Sequence, residues 1–230
     1  MTGFASSGSD SSQKLDRGSR EEFFTHPGRA VVWASALLGL VVLIAILVPA
    51  GPLTLDSRWS ELMQEIETPF LKHVALVFNA LGHGLWRALT LGAIGLVLLL
   101  ARRWIALIAF TVSECLTPLL GDLLKGLVGR QRPPDHILEA HGSSFPSGHA
   151  GYASATTFAL VLLFSTPGGR RPLWFLLAGL TTAAMAWSRT YLQVHWLSDV
   201  LTGATLGLAV TLLTFGVTQL ALLPRFQRVD

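Results

Sequence analysis

Two short stretches of the sequence hold residues that could bind an anion and transfer a proton to it. The first, residues 145–149, reads Phe-Pro-Ser-Gly-His. Ser147 suits the N-cap of a helix, and Gly148 would let a ligand approach the backbone closely. Because the free N–H groups at a helix start attract anions, His149 in the first turn would stand beside one and could donate a proton to it. Taken alone, the pentapeptide fits a plain turn equally well.

The second stretch carries a histidine and an aspartate about one helical turn apart. His195 and Asp199 are four residues apart, so they share one face of a helix. A carboxylate in that position can accept the N–H of one imidazole nitrogen, which leaves the other nitrogen as a nucleophile or a base. A buried, purely structural His–Asp pair is the alternative. The cations nearby favour the chemical interpretation.

Basic residues cluster around both stretches. Lys125 and Arg132 are seven residues apart, and they share a helix face if the helix continues until Pro133 and Pro134 end it. Arg189 lies shortly before the second stretch. A cation at the end of a membrane helix can simply extend toward water, but this accounts for one cation and not for a cluster. Fixed cations beside helix-start amides stabilise a phosphoryl group during its transfer.

The order and spacing of these motifs resemble the three-part signature of the type-2 phosphatidic acid phosphatase family, membrane lipid phosphatases related to vanadium haloperoxidases. The resemblance covers residues 125–199 and is complete at every motif position. Three spaced motifs together are a specific signal. They read Lys125-x6-Arg132-Pro133, Pro146-Ser147-Gly148-His149 and Ser188-Arg189-x5-His195-x3-Asp199.

The resemblance implies a role for each motif residue. His195 would attack phosphorus and form a phosphohistidine, and Asp199 would orient its imidazole. His149 would protonate the leaving oxygen and later activate water. The remaining motif residues would bind the phosphoryl oxygens: Lys125, Arg132, Ser147, Gly148 and Arg189. No metal and no other cofactor is implied. The sequence does offer possible metal ligands in a loop, but without a defined scaffold for a metal: His136, Glu139 and His141.

The composition is that of a membrane protein. Of the 230 residues, 51% are hydrophobic and only 13% are charged, whereas a soluble domain carries about 25% charged residues. Apolar runs long enough to cross a bilayer predict an all-α bundle of six transmembrane helices. The predicted spans cover residues 30–55, 74–101 (or from 81), 104–124, 150–165, 173–187 and 197–223.

The polar segments complete the predicted organisation. Residues 1–28 predict a disordered cytoplasmic tail, residues 29–224 the phosphatase domain, and residues 225–230 a short cytoplasmic tail. Within the domain, residues 56–70 place apolar side chains at helical spacing, with acidic residues such as Asp56 mostly elsewhere around the helix. This pattern is typical of an amphipathic helix at the membrane surface. In the last span, small residues suit close helix contact: Gly203 and Gly207.

The distribution of Lys and Arg predicts the orientation in the membrane. The side that holds both termini carries ten of them, at positions 14, 17, 20, 29, 102, 103, 170, 171, 225 and 228. The other side carries six, at positions 58, 72, 125, 130, 132 and 189. The positive-inside rule therefore predicts cytoplasmic termini and an outward-facing active site, on the extracytoplasmic side of the plasma (bacterial inner) membrane.

Arg87 and Glu114 are the charged residues that fall well inside predicted spans. An unpaired charge there costs roughly 2.5–3.5 kcal/mol on insertion scales. Their depths below the outer surface differ by a length that an arginine side chain can cover, which predicts a buried ion pair bracing the second span against the third. Alternatively, Arg87 extends toward the surface and Glu114 is protonated or bonded to a hydroxyl.

Together these features predict an integral membrane enzyme that hydrolyses a lipid phosphate or diphosphate at the bilayer surface. Undecaprenyl diphosphate and glycerophospholipid phosphates fit, and a phosphatase restricted to phosphatidic acid or phosphatidylglycerol phosphate is the narrower alternative. A lipid-binding or transport protein without the chemistry is disfavoured because His195, His149 and Asp199 are all present. A vanadate-dependent oxidase is disfavoured by the membrane setting. The expected partners are the lipid substrate and the bilayer, not nucleic acid.

Overall fold

The structure of the protein is a computed structural model that describes residues 22–226. Within this range the chain forms eight α-helices and no β-strand, which confirms the predicted all-α class. The tails predicted at residues 1–21 and 227–230 lie outside the described residues. In chain order the helices are α1 (Pro27–Leu47), α2 (Thr54–Glu65), α3 (Pro69–Leu81), α4 (Gly84–Leu100), α5 (Trp104–Val128), α6 (Gly148–Phe164), α7 (Arg171–Tyr191) and α8 (Leu197–Phe226).

The last part of the predicted N-terminal tail is packed against the bundle. Phe23 is fully buried, and its ring meets Phe215 edge-on at 4.8 Å between centroids. The Gln219 side chain accepts the backbone N–H groups of Phe23 and Phe24 at 3.0 and 2.9 Å. Pro27 then begins α1, because its fixed φ and missing N–H suit the first turn of a helix. These residues therefore belong to the folded domain.

α8 is the most extensively packed helix of the described chain. It packs along α1, α5 and α6, and its glycines allow the closest approaches. A Cβ on Gly207 would come within 2.9 Å of the Ala155 amide nitrogen of α6, and a Cβ on Gly203 within 3.1 Å of the Ser147 carbonyl carbon. The small-residue face of α8 is thus a contact face. Because this face carries no side chains at Gly203 and Gly207, the start of α6 can lie directly on the first turns of α8.

Three helices of the described range are long and apolar enough to cross a membrane, namely α1, α5 and α8. A fourth crossing results if α3 and α4, bent by 54° at a short break, form one span. α6 is apolar but has only 17 residues, about 25 Å at 1.5 Å per residue. These helices identify an integral membrane protein. A bundle of six spans would require α6 and α7 to cross as well.

The second predicted span, residues 74–101, is interrupted in the structure. α3 ends at Leu81, and α4 starts at Gly84, whose φ of +53° lies in the left-handed region that glycine adopts readily. Gly82, between them, lies against His149, because a Cβ there would stand 2.5 Å from the His149 Cδ2 atom. The break therefore brings this part of the chain next to the second motif.

The surface helix predicted over residues 56–70 is shorter than expected. α2 ends at Glu65, and α3 begins at Pro69 with Thr68 as its N-cap. The predicted acidic side is also not uniformly exposed, because Asp56 is only 1% exposed. Its carboxylate accepts two hydrogen bonds from Ser198 at the start of α8, at 2.8 and 2.9 Å. This helix is consequently held against the bundle by a buried carboxylate.

Candidate active site

A cavity of about 560 Å³ lies among α3 to α7 and the loop that joins α5 to α6. Residues from three separate parts of the sequence meet around it. Of the eight predicted site residues, seven line the cavity: Lys125, Arg132, Ser147, Gly148, His149, Arg189 and His195. The eighth, Asp199, is fully buried next to His195.

His195 presents one imidazole nitrogen to the cavity. It lies in the loop before α8, and its Nδ1 atom is 2.7 Å from the Ser144 carbonyl oxygen. Because a carbonyl can only accept, Nδ1 carries the proton, and the Nε2 lone pair is available as a nucleophile. Burial lowers the pKa of His195 to about 4, against the opposing effect of the Asp199 carboxylate. The imidazole is therefore neutral at pH 7.

Asp199 supports this histidine differently from the sequence prediction. Its Oδ2 atom lies 3.7 Å from His195 Nδ1, beyond ordinary hydrogen-bond distance. Oδ2 instead accepts the Trp196 backbone N–H at 2.9 Å. The Ser144 carbonyl occupies the position expected for the carboxylate. Asp199 can thus act on His195 through its charge and by fixing the turn that carries the imidazole.

A buried ion network surrounds Asp199. Arg130 donates to the Asp199 carboxylate at 2.6 Å and to the Asp56 carboxylate at 2.7 Å. None of these three residues is more than 1% exposed. The other guanidinium donors reach the Gly51 carbonyl and the Ser198 hydroxyl. Burial by itself would raise the pKa of Asp56, but hydrogen bonds, with Ser198 foremost, hold it below its usual value, so the carboxylate is ionised.

Neither Arg130 nor Asp56 is part of the predicted site. Charge was the available signal, because Arg130 belongs to the cations that accumulate around the motifs and Asp56 is an acid in the first turn of a helix. Their pairing joins residues 74 positions apart, which the spacing within one motif does not reveal. Ser144 gave no signal of its own, because it holds His195 through its backbone carbonyl.

Arg132 stands beside the candidate nucleophile. The helix predicted to continue from Lys125 to Arg132 ends earlier, because Gly129, at φ +62°, closes α5 with a left-handed C-cap. Arg132 lies in the following loop and donates to the Val194 carbonyl at 2.6 Å. Its Nη1 atom is 3.4 Å from His195 Nε2. A phosphoryl group attacked by Nε2 would therefore lie against this guanidinium.

Lys125 and Arg189 bring two further cations to the cavity. The Lys125 ammonium pairs with Asp122 at 2.9 Å and lies 3.7 Å from the place that a Cβ on Gly148 would take. Arg189 is 5% exposed and donates to the Asn79 side chain at 2.5 Å. Its Nε–H is buried without a partner in residues 22–226. An oxyanion in the cavity would find positive charge on several sides.

The start of α6 turns unpaired polar atoms toward the same cavity. Ser147 is the N-cap residue, as predicted, but its hydroxyl makes no capping hydrogen bond. Within the described part of the chain, the Ser147 hydroxyl and His149 Nε2 are buried without partners. The Ser147 N–H donates to the Asp199 carbonyl at 3.0 Å, which fixes the second motif to the third. Because unpaired buried polar atoms cost about 1–3 kcal/mol each, this arrangement suits a polar ligand.

The predicted Arg87–Glu114 ion pair is not formed in the structure. Glu114 accepts a hydrogen bond from the Thr156 hydroxyl at 3.0 Å. Arg87 lies over the Tyr152 ring, 4.8 Å from its centroid. Both charged side chains line the cavity, but among the ion pairs of residues 22–226 none joins them. Tyr152 and Thr156, one turn apart on α6, hold the two groups separately.

The donor set of the cavity is that of an oxyanion site. Four cationic side chains line the cavity together with hydroxyl groups, against the three carboxylates of Glu114, Asp122 and Glu139. Guanidinium, ammonium and hydroxyl groups bind phosphate. Over residues 22–226, no group of three or more His, Cys, Asp or Glu side chains comes close enough to hold a metal ion. That range includes the loop residues considered as metal ligands: His136, Glu139 and His141.

Membrane-crossing helices around a cavity with three histidines and four cations define a class of protein, membrane enzymes that handle phosphate. The chain belongs to the PAP2 superfamily, whose family model matches residues 104–222. The matched segment runs from the start of α5 into α8 and contains all three motifs. The resemblance inferred from the motif spacing is thereby confirmed.

Several curated relatives are phosphatases with lipid substrates. The chain is 39% identical to a lipid A 1-phosphatase of Porphyromonas gingivalis, over 40% of this chain and 19% of that protein. It is 32% identical to an undecaprenyl-diphosphatase of Sulfolobus acidocaldarius, over 46% of this chain and 52% of that protein. A longer match, 29% identical over 79% of this chain, covers 92% of phosphatidylglycerophosphatase B of Bacillus subtilis. The matches thus span about a fifth and about half of the first two relatives.

Two solved structures share the fold. A transmembrane PAP2-type phosphatidylglycerolphosphate phosphatase from Bacillus subtilis superposes with a TM-score of 0.66 at 24% identity, over 82% of this chain and 96% of that chain. LpxE of Aquifex aeolicus superposes with a TM-score of 0.57 at 22% identity, over 70% of this chain and 95% of that chain. The helical arrangement is therefore that of a membrane PAP2 phosphatase.

Proposed function

We propose that this protein is an integral membrane enzyme that hydrolyses a lipid phosphate or diphosphate through a phosphohistidine intermediate. The observation that carries the proposal is the setting of His195. Its Nδ1–H is bound to the Ser144 carbonyl, and its side chain lines a cavity rich in cations. A neutral imidazole held in this way beside a bound phosphoryl group is positioned to attack phosphorus.

In the first step, the Nε2 atom of His195 forms a bond to phosphorus while the bond from phosphorus to the leaving oxygen breaks. His149, whose Nε2 atom is unpaired in the described structure, donates a proton to that oxygen. Asp199 stabilises the positive charge that develops on the phosphorylated imidazole. The phosphoryl oxygens are neutralised by five groups: the side chains of Lys125, Arg132, Arg189 and Ser147 and the Gly148 N–H.

In the second step, water attacks the phosphorus atom of phosphohistidine. His149, neutral after giving up its proton, accepts a proton from this water. The bond between phosphorus and Nε2 breaks, inorganic phosphate is released, and His195 returns to its starting state. Over a full cycle, therefore, neither histidine gains or loses a proton.

The proposed placement in the membrane has six spans, with α6 and α7 crossing in addition to the longer helices. Both termini are cytoplasmic, and the cavity opens on the extracytoplasmic side of a bacterial inner membrane. The distribution of Lys and Arg supports this orientation. A cavity at the membrane surface suits an amphiphile whose phosphate lies in the headgroup layer.

The proposed substrates are lipids that carry a terminal phosphate. The relatives include a lipid A 1-phosphatase, an undecaprenyl-diphosphatase and a phosphatidylglycerophosphatase. Undecaprenyl diphosphate and glycerophospholipid phosphates are accordingly the substrates to test first. Restriction to phosphatidic acid or phosphatidylglycerol phosphate is the narrower alternative.

The test is phosphate release from a panel of lipid phosphates and diphosphates by the purified protein in detergent. We expect His195→Ala to lose about 10³-fold or more in rate, because it lacks the nucleophile. His73→Ala, which changes an exposed histidine of α3 outside the cavity, is the matched control and should keep the rate. With a ³²P-labelled substrate, the wild-type protein quenched during turnover should carry an acid-labile protein phosphate that His195→Ala lacks. Substantial turnover by folded His195→Ala would overturn the assignment.

A further inference from the structure

The cavity extends past His149 to two basic side chains that lie outside the three motifs. His83, the N-cap residue of α4, stacks on His149 with ring centroids 6.0 Å apart and planes 10° from parallel. Arg87 lies four residues further on and also lines the cavity. Because residues four apart share a helix face, His83 and Arg87 approach the cavity from the same side.

Arg87 has no carboxylate partner in the described chain. No ion pair of residues 22–226 includes it, and its side-chain contact is the face of the Tyr152 ring. The Glu114 carboxylate attracts the Arg87 guanidinium electrostatically, but the hydrogen bond that Glu114 accepts comes from the Thr156 hydroxyl. An arginine inside a membrane helix is costly without a partner and therefore indicates a functional site. Its planar array of N–H donors matches a phosphate group.

The chemistry requires a place for the leaving group. In an in-line phosphoryl transfer, the nucleophile and the leaving oxygen lie on opposite sides of phosphorus. With His195 as the nucleophile, the leaving oxygen lies toward His149. The atoms beyond that oxygen then lie toward His83 and Arg87. A neutral alcohol needs no basic side chains at this place, whereas a departing phosphate carries negative charge that they would neutralise.

We propose that His83 and Arg87 bind the inner phosphate of a lipid diphosphate, so that the diphosphate is preferred over the monophosphate. This inference rests on the proposed phosphohistidine mechanism. The Nε2 atom of His195 bonds to the outer phosphorus, and the electron pair of the broken bond stays on the bridging oxygen. That oxygen takes the proton of His149 and leaves with the lipid monophosphate. Water then releases the outer phosphate from His195 as inorganic phosphate.

The experiment compares two substrates that share one lipid chain, a polyprenyl diphosphate and the corresponding polyprenyl monophosphate. The kcat/KM for phosphate release is measured for each with the purified wild-type protein and with Arg87→Gln. We expect the wild type to prefer the diphosphate, and Arg87→Gln to lower the diphosphate-to-monophosphate ratio about tenfold or more, as loss of a charged hydrogen bond implies. Arg87→Lys should restore part of the ratio, because it keeps the charge.

Two further variants make the result specific. Arg58→Gln changes an exposed arginine of α2 outside the cavity and should leave the ratio unchanged. His83→Asn changes an exposed side chain, so it tests the same ratio if Arg87→Gln does not fold. A ratio that stays constant in folded Arg87→Gln and His83→Asn would overturn the inference. So would a wild-type protein that cleaves only the monophosphate, whereas release from neither lipid would overturn the proposed function itself.

Discussion

Arg130 links the start of α8, next to the candidate active site, to α2. Its guanidinium lies between the Asp56 and Asp199 carboxylates, at 2.7 and 2.6 Å, and Asp199 in turn lies next to His195. Without Arg130, the two buried carboxylates would repel each other. The guanidinium forms an ion pair with each of them and offsets this repulsion. In the proposed mechanism Arg130 is thus a positioning residue, because it acts on the proposed nucleophile, His195, through Asp199.

The first prediction concerns this network. Arg130→Met should destabilise the protein by about 3–5 kcal/mol, because it leaves two buried carboxylates without their counter-charge. Thermal unfolding in one detergent measures the change, and Arg58→Met, at an exposed position of α2, is the matched control that should change little. Adding Asp56→Asn to Arg130→Met should cost less than the sum of the single changes. Strictly additive losses would show that the two side chains are not coupled.

The motifs in the sequence predict which residues meet at the site but not all of their contacts. The eight motif residues meet at one site as expected, because the three motifs were predicted to bind the same phosphoryl group. The partner of His195 Nδ1 was misassigned, because the Ser144 backbone carbonyl lies closer than Asp199. Any residue can provide such a carbonyl, so no side-chain pattern marks it. Arg87 and Glu114 were correctly singled out as costly charges, but their partners on α6 depend on how the helices rotate against each other.

At the scale of elements, the site exists where the starts of α6 and α8 touch. Gly203 allows the Ser147 backbone to lie directly on α8, and the Ser147 N–H donates to the Asp199 carbonyl there. Further along the same pair, Gly207 lets α6 approach at Ala155. The distance between the two histidine motifs is therefore set by glycines that have no part in the chemistry.

The second prediction tests this contact. Gly207→Ala should destabilise the protein by about 1–3 kcal/mol, because the added methyl group would overlap the α6 backbone. Gly179→Ala on α7 is the matched control, since a Cβ there meets nothing within 4 Å. That change should be neutral or stabilising by up to ~1 kcal/mol through helix propensity. Unfolding of both variants in detergent gives the comparison, and equal effects would contradict a close-contact role for Gly207.

Helix boundaries were less predictable than the helices themselves. Residues 74–101 are mostly apolar, so their composition predicts one span, although Gly82, His83 and Gly84 stand where α3 and α4 separate. The break depends on Gly84, with its positive φ, and on the fit of Gly82 against His149. Both features depend on the folded structure and cannot be read from composition. Likewise α5 ends at Gly129 rather than at the prolines, because glycine reaches the left-handed C-cap conformation at little cost.

At the scale of the whole molecule, the two ends of the bundle differ in chemistry. At one end, the carbonyl of Gly51, which follows α1, accepts hydrogen bonds from Arg130 beside the site. At the other end, the start of α1 meets the turn before α7, and Arg103 donates to the Leu163 carbonyl at the end of α6. Most cations of the site end serve the site itself: Lys125, Arg130, Arg132 and Arg189.

This difference removes the main objection to the proposed orientation. The site end holds six Lys and Arg residues, but with those four engaged at the site only Arg58 and Lys72 of its described cations remain as determinants of topology. The opposite end has Arg29, Arg102, Arg103, Arg170 and Arg171. The positive-inside rule therefore favours the proposed orientation, in which the opposite end is cytoplasmic.

The last prediction tests that orientation with single cysteines. Cys115 is the sole cysteine of the chain, so a Cys115→Ser background gives a protein free of thiols. Arg58→Cys at the site end and Arg170→Cys at the opposite end both change exposed residues. In intact bacterial cells, a maleimide too polar to cross the inner membrane should label Arg58→Cys but not Arg170→Cys, and permeabilised cells should show both. Labelling of Arg170→Cys alone in intact cells would place the cavity on the cytoplasmic side. The site would then face the cytoplasm, and the positive charges at the opposite end would require another explanation.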